Sequence, residues 1–202
     1  MPNWCENRMT VRGPKEKIEK FHRLVSMNGL IETGMPMPAI LDGSSTQSDK
    51  IPKSLMEAFP AEEGKHTWHD WSYRYRGTKW EEAEMSVSDI YEDQDDPGIA
   101  SVEYYYQSAW NPHIPVGVEI AYDWGFKVFH EYIEMEGCPF SGWIIADFSE
   151  EHNHVVPTHY DEEEYDKAYE DPSCSEWMKE RLEQWDEMKK EWEEEEEGVE
   201  VA

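Results

Sequence analysis

Two stretches of this 202-residue chain alternate so regularly between apolar and polar side chains that they leave little choice of backbone. In WCENRMTVR, Cys5, Asn7, Met9 and Val11 fall on one side of an extended chain, with Trp4, Glu6, Arg8, Thr10 and Arg12 on the other. Ile99 to Ala109 (IASVEYYYQSA) repeats the pattern, with Ser101, Glu103, Tyr105 and Gln107 on its polar side. Gly13-Pro14 stops the first strand, and Ile18, Phe21, Leu24 and Val25 then stand at helical spacing within Lys15–Val25. A β-α unit therefore opens the chain, and its first residues belong to a core.

Further along, Glu84–Ile90 alternates roughly, and Glu92-Asp-Gln-Asp-Asp-Pro-Gly98 forms a turn into the Ile99–Ala109 strand. Pro115–Asp123 reads as a short helix stopped by Gly125, followed by strands at Phe126–Met135 and Ser141–Phe148 around a Glu136-Gly137 turn. The order β-α-β-β-α-β-β predicts an α+β fold. Its first six elements are the split β-α-β, ferredoxin-like arrangement, an antiparallel sheet with two helices on one face. Asn7 would face those helices and must find hydrogen-bond partners.

Between the first helix and the second strand, residues 32–80 are too long for a connection and read as an insertion. It holds the polar loop 42–48, an amphipathic piece at 53–59, and HTWHDWSYRYRGTKW, whose aromatics need a wall to pack on. The expected division is a domain at 1–148, an acidic linker or edge segment at 149–172, and an amphipathic acidic helix with a frayed tail at 173–202. Ser173 or Ser175 caps that helix, and Met178, Leu182, Trp185, Met188 and Trp192 form its apolar stripe.

MPNWCENRMTVRGP, Met35-Pro-Met-Pro38, Gly77-Thr-Lys-Trp80, Ala109-Trp-Asn-Pro112, and Glu136-Gly137 with Phe140-Ser-Gly142 carry a resemblance over about residues 1–148. On these motifs the chain resembles the YubB ferredoxin-like domain family of phage and plasmid proteins. The resemblance implies a ferredoxin-like fold in a mobile-element protein and implies no particular chemistry. The chain departs from the pattern at Arg76, before GTKW, and at His113, after Trp110-Asn-Pro112.

Forty-six acids against 18 bases give a formal net charge of −28, and from Glu150 onward 21 acids face 5 bases. Such a chain repels phosphate backbones and anionic membranes, so neither direct nucleic-acid binding nor membrane association is expected. A basic protein surface is steered toward it. No run of 18 apolar residues occurs, the first twenty residues lack a signal-peptide core, and Cys5, Cys138 and Cys174 have no metal or disulfide spacing. A cytoplasmic protein, in a bacterial host cell, is the expectation.

No nucleophile elbow, phosphate-binding loop or dinucleotide fingerprint is present, so no catalytic residue, cofactor or metal is expected. His152, His154 and His159 with Asp161, or His66 and His69 with Asp70, offer metal-ligand chemistry, but among unspaced acids in loops. Trp68, Trp71, Tyr73, Tyr75 and Trp80 interleave with Arg74, Arg76 and Lys79 in the manner of a single-strand platform. Glu103 on the open sheet face opposes a phosphate chain, so packing is favoured.

The acids themselves are the candidate partner-binding residues. They are Asp93, Asp95 and Asp96 in the hairpin turn, Glu162, Glu163, Glu164 and Asp166 in the linker, and Glu193, Glu194, Glu195, Glu196 and Glu197 in the last helix. Residues 176–197 carry 11 acids and 4 bases over roughly 33 Å, sparser than the one charge per ~1.7 Å of duplex DNA, so the helix alone is an inadequate mimic. The leading expectation is a non-catalytic protein that binds a basic, nucleic-acid-binding host complex, such as a restriction or CRISPR-type defence effector, and inhibits it. The alternatives are a metal-dependent enzyme using His152, His154 and His159, and a homo-oligomer formed through the C-terminal helix.

Overall fold

The computed structural model describes residues 2–41, 67–135, 139–148, 153–161 and 164–200, with side chains left out at 40, 165, 166 and 191–200. The two alternating stretches are the longest strands, β1 (Trp4–Pro14) and β4 (Ile99–Ala109). They pair antiparallel along their whole length, from Trp4 opposite Ala109 to Pro14 opposite Ile99. Two short strands, β2 (Ala83–Val87) and β3 (Tyr91–Glu92), pair with the far side of β4, and β5 (Lys127–Glu134) pairs with β1. Beyond β5 lie β6 (Phe140–Asp147) and β7 (His154–Asp161). The result is an open, seven-stranded antiparallel sheet of order β2-β4-β1-β5-β6-β7, with β3 also on β4. It is larger than the sheet a ferredoxin-like arrangement predicts.

The side of β1 that carries Cys5, Met9 and Val11 is covered by α1 (Lys15–Asn28), α2 (Leu30–Gly34) and α4 (Ile114–Trp124), with α3 (Trp68–Trp71) and a π-helical turn (Ser72–Arg76) nearby. Ile18, Phe21 and Val25 from α1 and Val116 and Ile120 from α4 meet Met9, Val102, Tyr104 and Val128 in one buried cluster. Gly34 permits α2 to lie against α4, because a Cβ there would stand 2.6 Å from Ile120. Gly125, at φ 64, ends α4 as its position predicts.

The opposite side of the sheet has its own cover, built from the last quarter of the chain. Residues 149–172 are not a linker throughout: 154–161 form β7, and 165–170 form α5 (Tyr165–Glu170). Pro157 sits inside β7, where it cannot donate to a ladder, and an edge strand is where a sheet tolerates that. The last helix, α6 (Glu176–Glu200), continues three residues past the expected end at Glu197. Met178, Leu182 and Trp185 are buried at helical spacing, and Met178 and Leu182 cluster with Ile133, Trp143, Ala168 and Cys174. Met188 is half-buried, and the Trp192 side chain lies outside the described ones. The helix is thus a second layer of the domain.

Leu182 is fully buried between α6 and the sheet. Leu182→Ala should therefore destabilise the whole chain by about 2–5 kcal/mol, read as a lower urea midpoint with an unchanged slope. A midpoint equal to that of the unmodified chain would show that α6 does not share the domain's cooperative unfolding.

Candidate functional site

Three sequence motifs far apart in the chain meet at one end of the sheet. Trp4 begins β1, Trp110 follows the end of β4, and Lys79-Trp80 precede β2. The Lys79 ammonium lies 4.1 Å from the centre of the Trp80 ring and 4.4 Å from that of Trp110. The two indoles are 5.2 Å apart, and Trp4 stands 6.5 Å from Trp80. A cation this close to two indole faces is held by their quadrupoles. The backbone is stitched to match: the Trp110 N–H donates to Asn3 O at 2.9 Å, the Thr78 hydroxyl to Ala109 O at 2.5 Å, and the His113 Nε2–H to Trp80 O at 2.9 Å. Trp110 is in the left-handed region at φ 64.

Next to this cluster, and under α6, is a cavity of about 180 Å³ lined by Glu6, Glu84, Tyr105, Gln107, Trp177 and Arg181, with Asn7 and Tyr106 at its floor. Its floor is one row across three strands, since Gln107 of β4 pairs with Glu6 of β1 on one side and with Ala83 of β2 on the other. Between Ala83 and Ser86 the register slips by one residue, and Glu84 in that bulge has φ 50. A bulge of this kind re-aims a side chain, and here it brings Glu84 to the cavity. The roof is α6, from which Arg181 reaches Glu6 at 2.9 Å and lies 5.8 Å from the Trp177 ring. None of these residues was a candidate from sequence. The Trp177/Arg181 spacing of four is visible there, but the cross-strand row depends on register.

The predicted acids separate into different surfaces. Asp93, Asp95 and Asp96 lie beyond the Pro14–Ile99 end of the sheet, whereas Asp161, preceding Glu162, lies in the row of Phe140, Glu134, Cys5 and Ser108 at the other end. Nine residues of β4 separate those rows, about 30 Å. The hairpin acids are also engaged: Arg12 is 2.8 Å from Asp93 and 3.5 Å from Asp96, and it holds the Asp93 carboxyl below its ordinary range. Asp93 Oδ1 further accepts the Asp95 N–H at 2.9 Å. Glu164 pairs with Lys167. Glu162 and Glu163 lie outside the described residues, as do the side chains of Asp166 and of Glu193, Glu194, Glu195, Glu196 and Glu197. On the described part of α6, Glu176, Glu180, Glu183 and Glu187 are exposed at spacings of four, three and four, which is one face of the helix.

The histidines do not converge. His66 and His152 lie outside the described residues, and among those described no group of three His, Cys, Asp or Glu is placed to hold a metal. His154 and His159 are five positions apart in β7, so they face opposite sides of the sheet. His159 Nδ1 is 3.2 Å from the Tyr132 hydroxyl, and His69 is edge-on to Tyr73 at 4.9 Å. The aromatics of the insertion pack as expected: Trp71 is buried with Leu41, Arg76 is buried 5.0 Å from the Trp71 ring, and the Arg76 Nε–H donates to Met35 O at 3.0 Å.

Asn7 finds its partners under α4. Its amide donates to Ser108 Oγ and to Cys5 O, both at 2.8 Å, and Oδ1 accepts from His130 Nε2 at 3.0 Å. His130 and His113 thus each spend Nε2–H on an oxygen, and each leaves Nδ1 buried with no partner among the described residues. Burial lowers the pKa of His113 to about 4 and that of His130 to about 3. Burial also pushes the Cys5 thiol up, away from nucleophilic character.

No protein-family model and no curated protein matches this chain. A solved structure, the protein Api92 from Yersinia pseudotuberculosis with family model DUF1281, is similar over 79% of this chain and 98% of that one, at 13% identity and a TM-score of 0.40. A likeness that slight fixes neither fold nor function.

The buried histidines carry a pH signature. Both are neutral in the folded chain, whereas the unfolded chain binds their protons below its ordinary histidine pKa of ~6.5. Their contribution to stability is complete above that value and is lost as pH falls toward about 4, at about 2 kcal/mol apiece by about pH 5. His113→Gln and His130→Gln keep a donor near Nε2 and should each flatten the fall of the urea midpoint over this window. An unaltered slope in both variants contradicts the assignment.

Proposed function

We propose that this chain is a non-catalytic acidic interaction protein of a phage or plasmid, acting in the cytoplasm of a bacterial host. In this reading it binds a basic, nucleic-acid-binding complex, of the restriction or CRISPR-type defence kind, and occupies that complex's nucleic-acid surface. The observation that carries the reading is the seating of α6. Met178, Leu182 and Trp185 are buried against the sheet side of the helix, so Glu176, Glu180, Glu183 and Glu187 are presented on a fixed element rather than a loose tail. Carboxylates already held in place lose less freedom on meeting lysines and arginines. Glu180, Glu183 and Glu187 have no ion-pair partner among the described residues.

The fold reading goes with it. In the part β2-β4-β1-β5, β4 lies between β1 and β2, and β1 lies between β4 and β5. That interleaving, with α1 and α4 on one side, supports a ferredoxin-like core of the YubB kind extended by β6 and β7. The metal-dependent alternative is weakened by the opposite facing of His154 and His159. Self-association through the helix stripe is weakened because Met178, Leu182 and Trp185 are buried within one chain. No described helix is long and apolar enough to cross a membrane.

Glu180→Lys, Glu183→Lys and Glu187→Lys together test the reading against Glu16→Lys with Glu19→Lys on α1. The unmodified chain should recover, at low salt and not at high salt, a basic complex stripped of its DNA or RNA. The α6 triple variant should bind that complex about tenfold more weakly or worse, and the α1 pair close to normally. Equal recovery by the triple variant, or a captured complex that keeps its nucleic acid, would sink the reading.

A further inference from the structure

We propose that the cavity between α6 and the sheet is a receptor for one arginine side chain of the partner. The proposal rests on the reading that the partner is basic, and names the group it inserts. Glu6, Glu84 and Arg181 leave the cavity with one negative charge in excess, so a single cation brings it to neutrality. Acceptors for its N–H groups are available: neither the Glu84 carboxylate nor the Gln107 amide has a hydrogen bond or ion pair among the described residues, while Oε2 of Glu6 is engaged by Arg181 at 2.9 Å.

The geometry favours a guanidinium over an ammonium. Glu6, Gln107 and the bulge at Glu84 span adjacent strands, so the polar groups are spread along a row of about 10 Å. A planar fork of five N–H groups meets such a row, whereas an ammonium is a compact point charge. Trp177 and Tyr105 supply aromatic walls. The chain already holds one guanidinium in this fashion, since Arg181 lies against both Glu6 and Trp177. Glu84 is held at φ 50, a backbone that costs any residue other than glycine, and the bulge that imposes it delivers the carboxylate to the cavity.

The test needs no macromolecular partner. N-acetyl-arginine amide is titrated into the full-length chain while the Trp177 indole resonance is followed, with the neutral isostere N-acetyl-citrulline amide as comparison. The arginine probe should saturate and shift that resonance, and the citrulline probe should bind about tenfold more weakly or worse. Glu84→Gln should lose the preference for arginine. Glu84→Gly, which relaxes the left-handed backbone, should melt higher than the unmodified chain and yet lose the probe. Absence of saturation, equal binding of the two probes, or undiminished binding by either Glu84 variant would overturn the proposal. Such a failure leaves the acidic face of α6 standing, and failed capture of a basic complex leaves the arginine receptor standing.

Discussion

Glu131 places a carboxylate where neither the sheet nor the C-terminal helices admit water, and the seating of α6 follows from what that carboxylate requires. Its side chain is 0% exposed, Arg8 Nη1 donates to it at 3.2 Å, and the Ser175 hydroxyl donates to its other oxygen. Burial raises its pKa, while the Ser175 hydroxyl and the Arg8 guanidinium pull it back. A buried carboxylate stripped of either partner costs several kcal/mol, so β1, β5 and the residue ahead of α6 are tied to one another. Ser175 also accepts the Met178 N–H at 3.2 Å, which makes the same hydroxyl the helix cap. Once the cap is set, helical periodicity delivers Met178 and Leu182 to Ile133 and Trp143, and Trp177 and Arg181 to Glu6. The ion pair need not add net stability to have this effect, because its contribution is to register.

How much of this is legible in the amino acids depends on the range of the interaction. β1, β4, α1 and α4 are read correctly because their patterns are local: alternation in Cys5–Val11 and Ala100–Tyr106, and Gly125 after a helical run. β7 is legible only as a linker or edge segment and not as a strand, because its alternation is broken by Pro157 and flanked by acids, and because an edge strand need not be apolar on both faces. The stripe of α6 is visible in Met178, Leu182 and Trp185, but nothing local says that it packs on the second face of its own sheet. The cavity is the least legible feature. Glu6, Glu84 and Gln107 become neighbours only through antiparallel register and a one-residue slip, neither of which leaves a mark in composition.

The charge is likewise two things. Part of it is local scaffolding: Asp93 closes a turn and holds Arg12, Glu82 accepts the Leu30 N–H at 2.5 Å at the start of α2, and Glu32 holds the buried Arg76. Carboxylates engaged in this way have little field left for a partner. The remainder stands on exposed faces, and α6 concentrates it at Glu180, Glu183 and Glu187, which have no cation partner among the described residues. Counting acids along the chain therefore overstates the hairpin turn and understates the first half of the last helix.

Backbone strain in the described residues has the same address as the free polar groups. Glu84 and Trp110 are the two residues other than glycine with positive φ, and both lie at the Trp4 end of the sheet. Conformations of this kind cost of order 1–3 kcal/mol each and persist only where the surroundings over-determine them. At Trp110 the surroundings are the bond to Asn3 O, the Lys79 ammonium and the Trp80 ring; at Glu84 they are the slipped pairing with β4. At Trp110 the strained residue turns its indole toward the Lys79 ammonium, and at Glu84 it turns a carboxylate toward the cavity under α6. Stability spent at this end of the sheet therefore fixes indoles and a carboxylate in place, and both are groups to which positive charge is drawn.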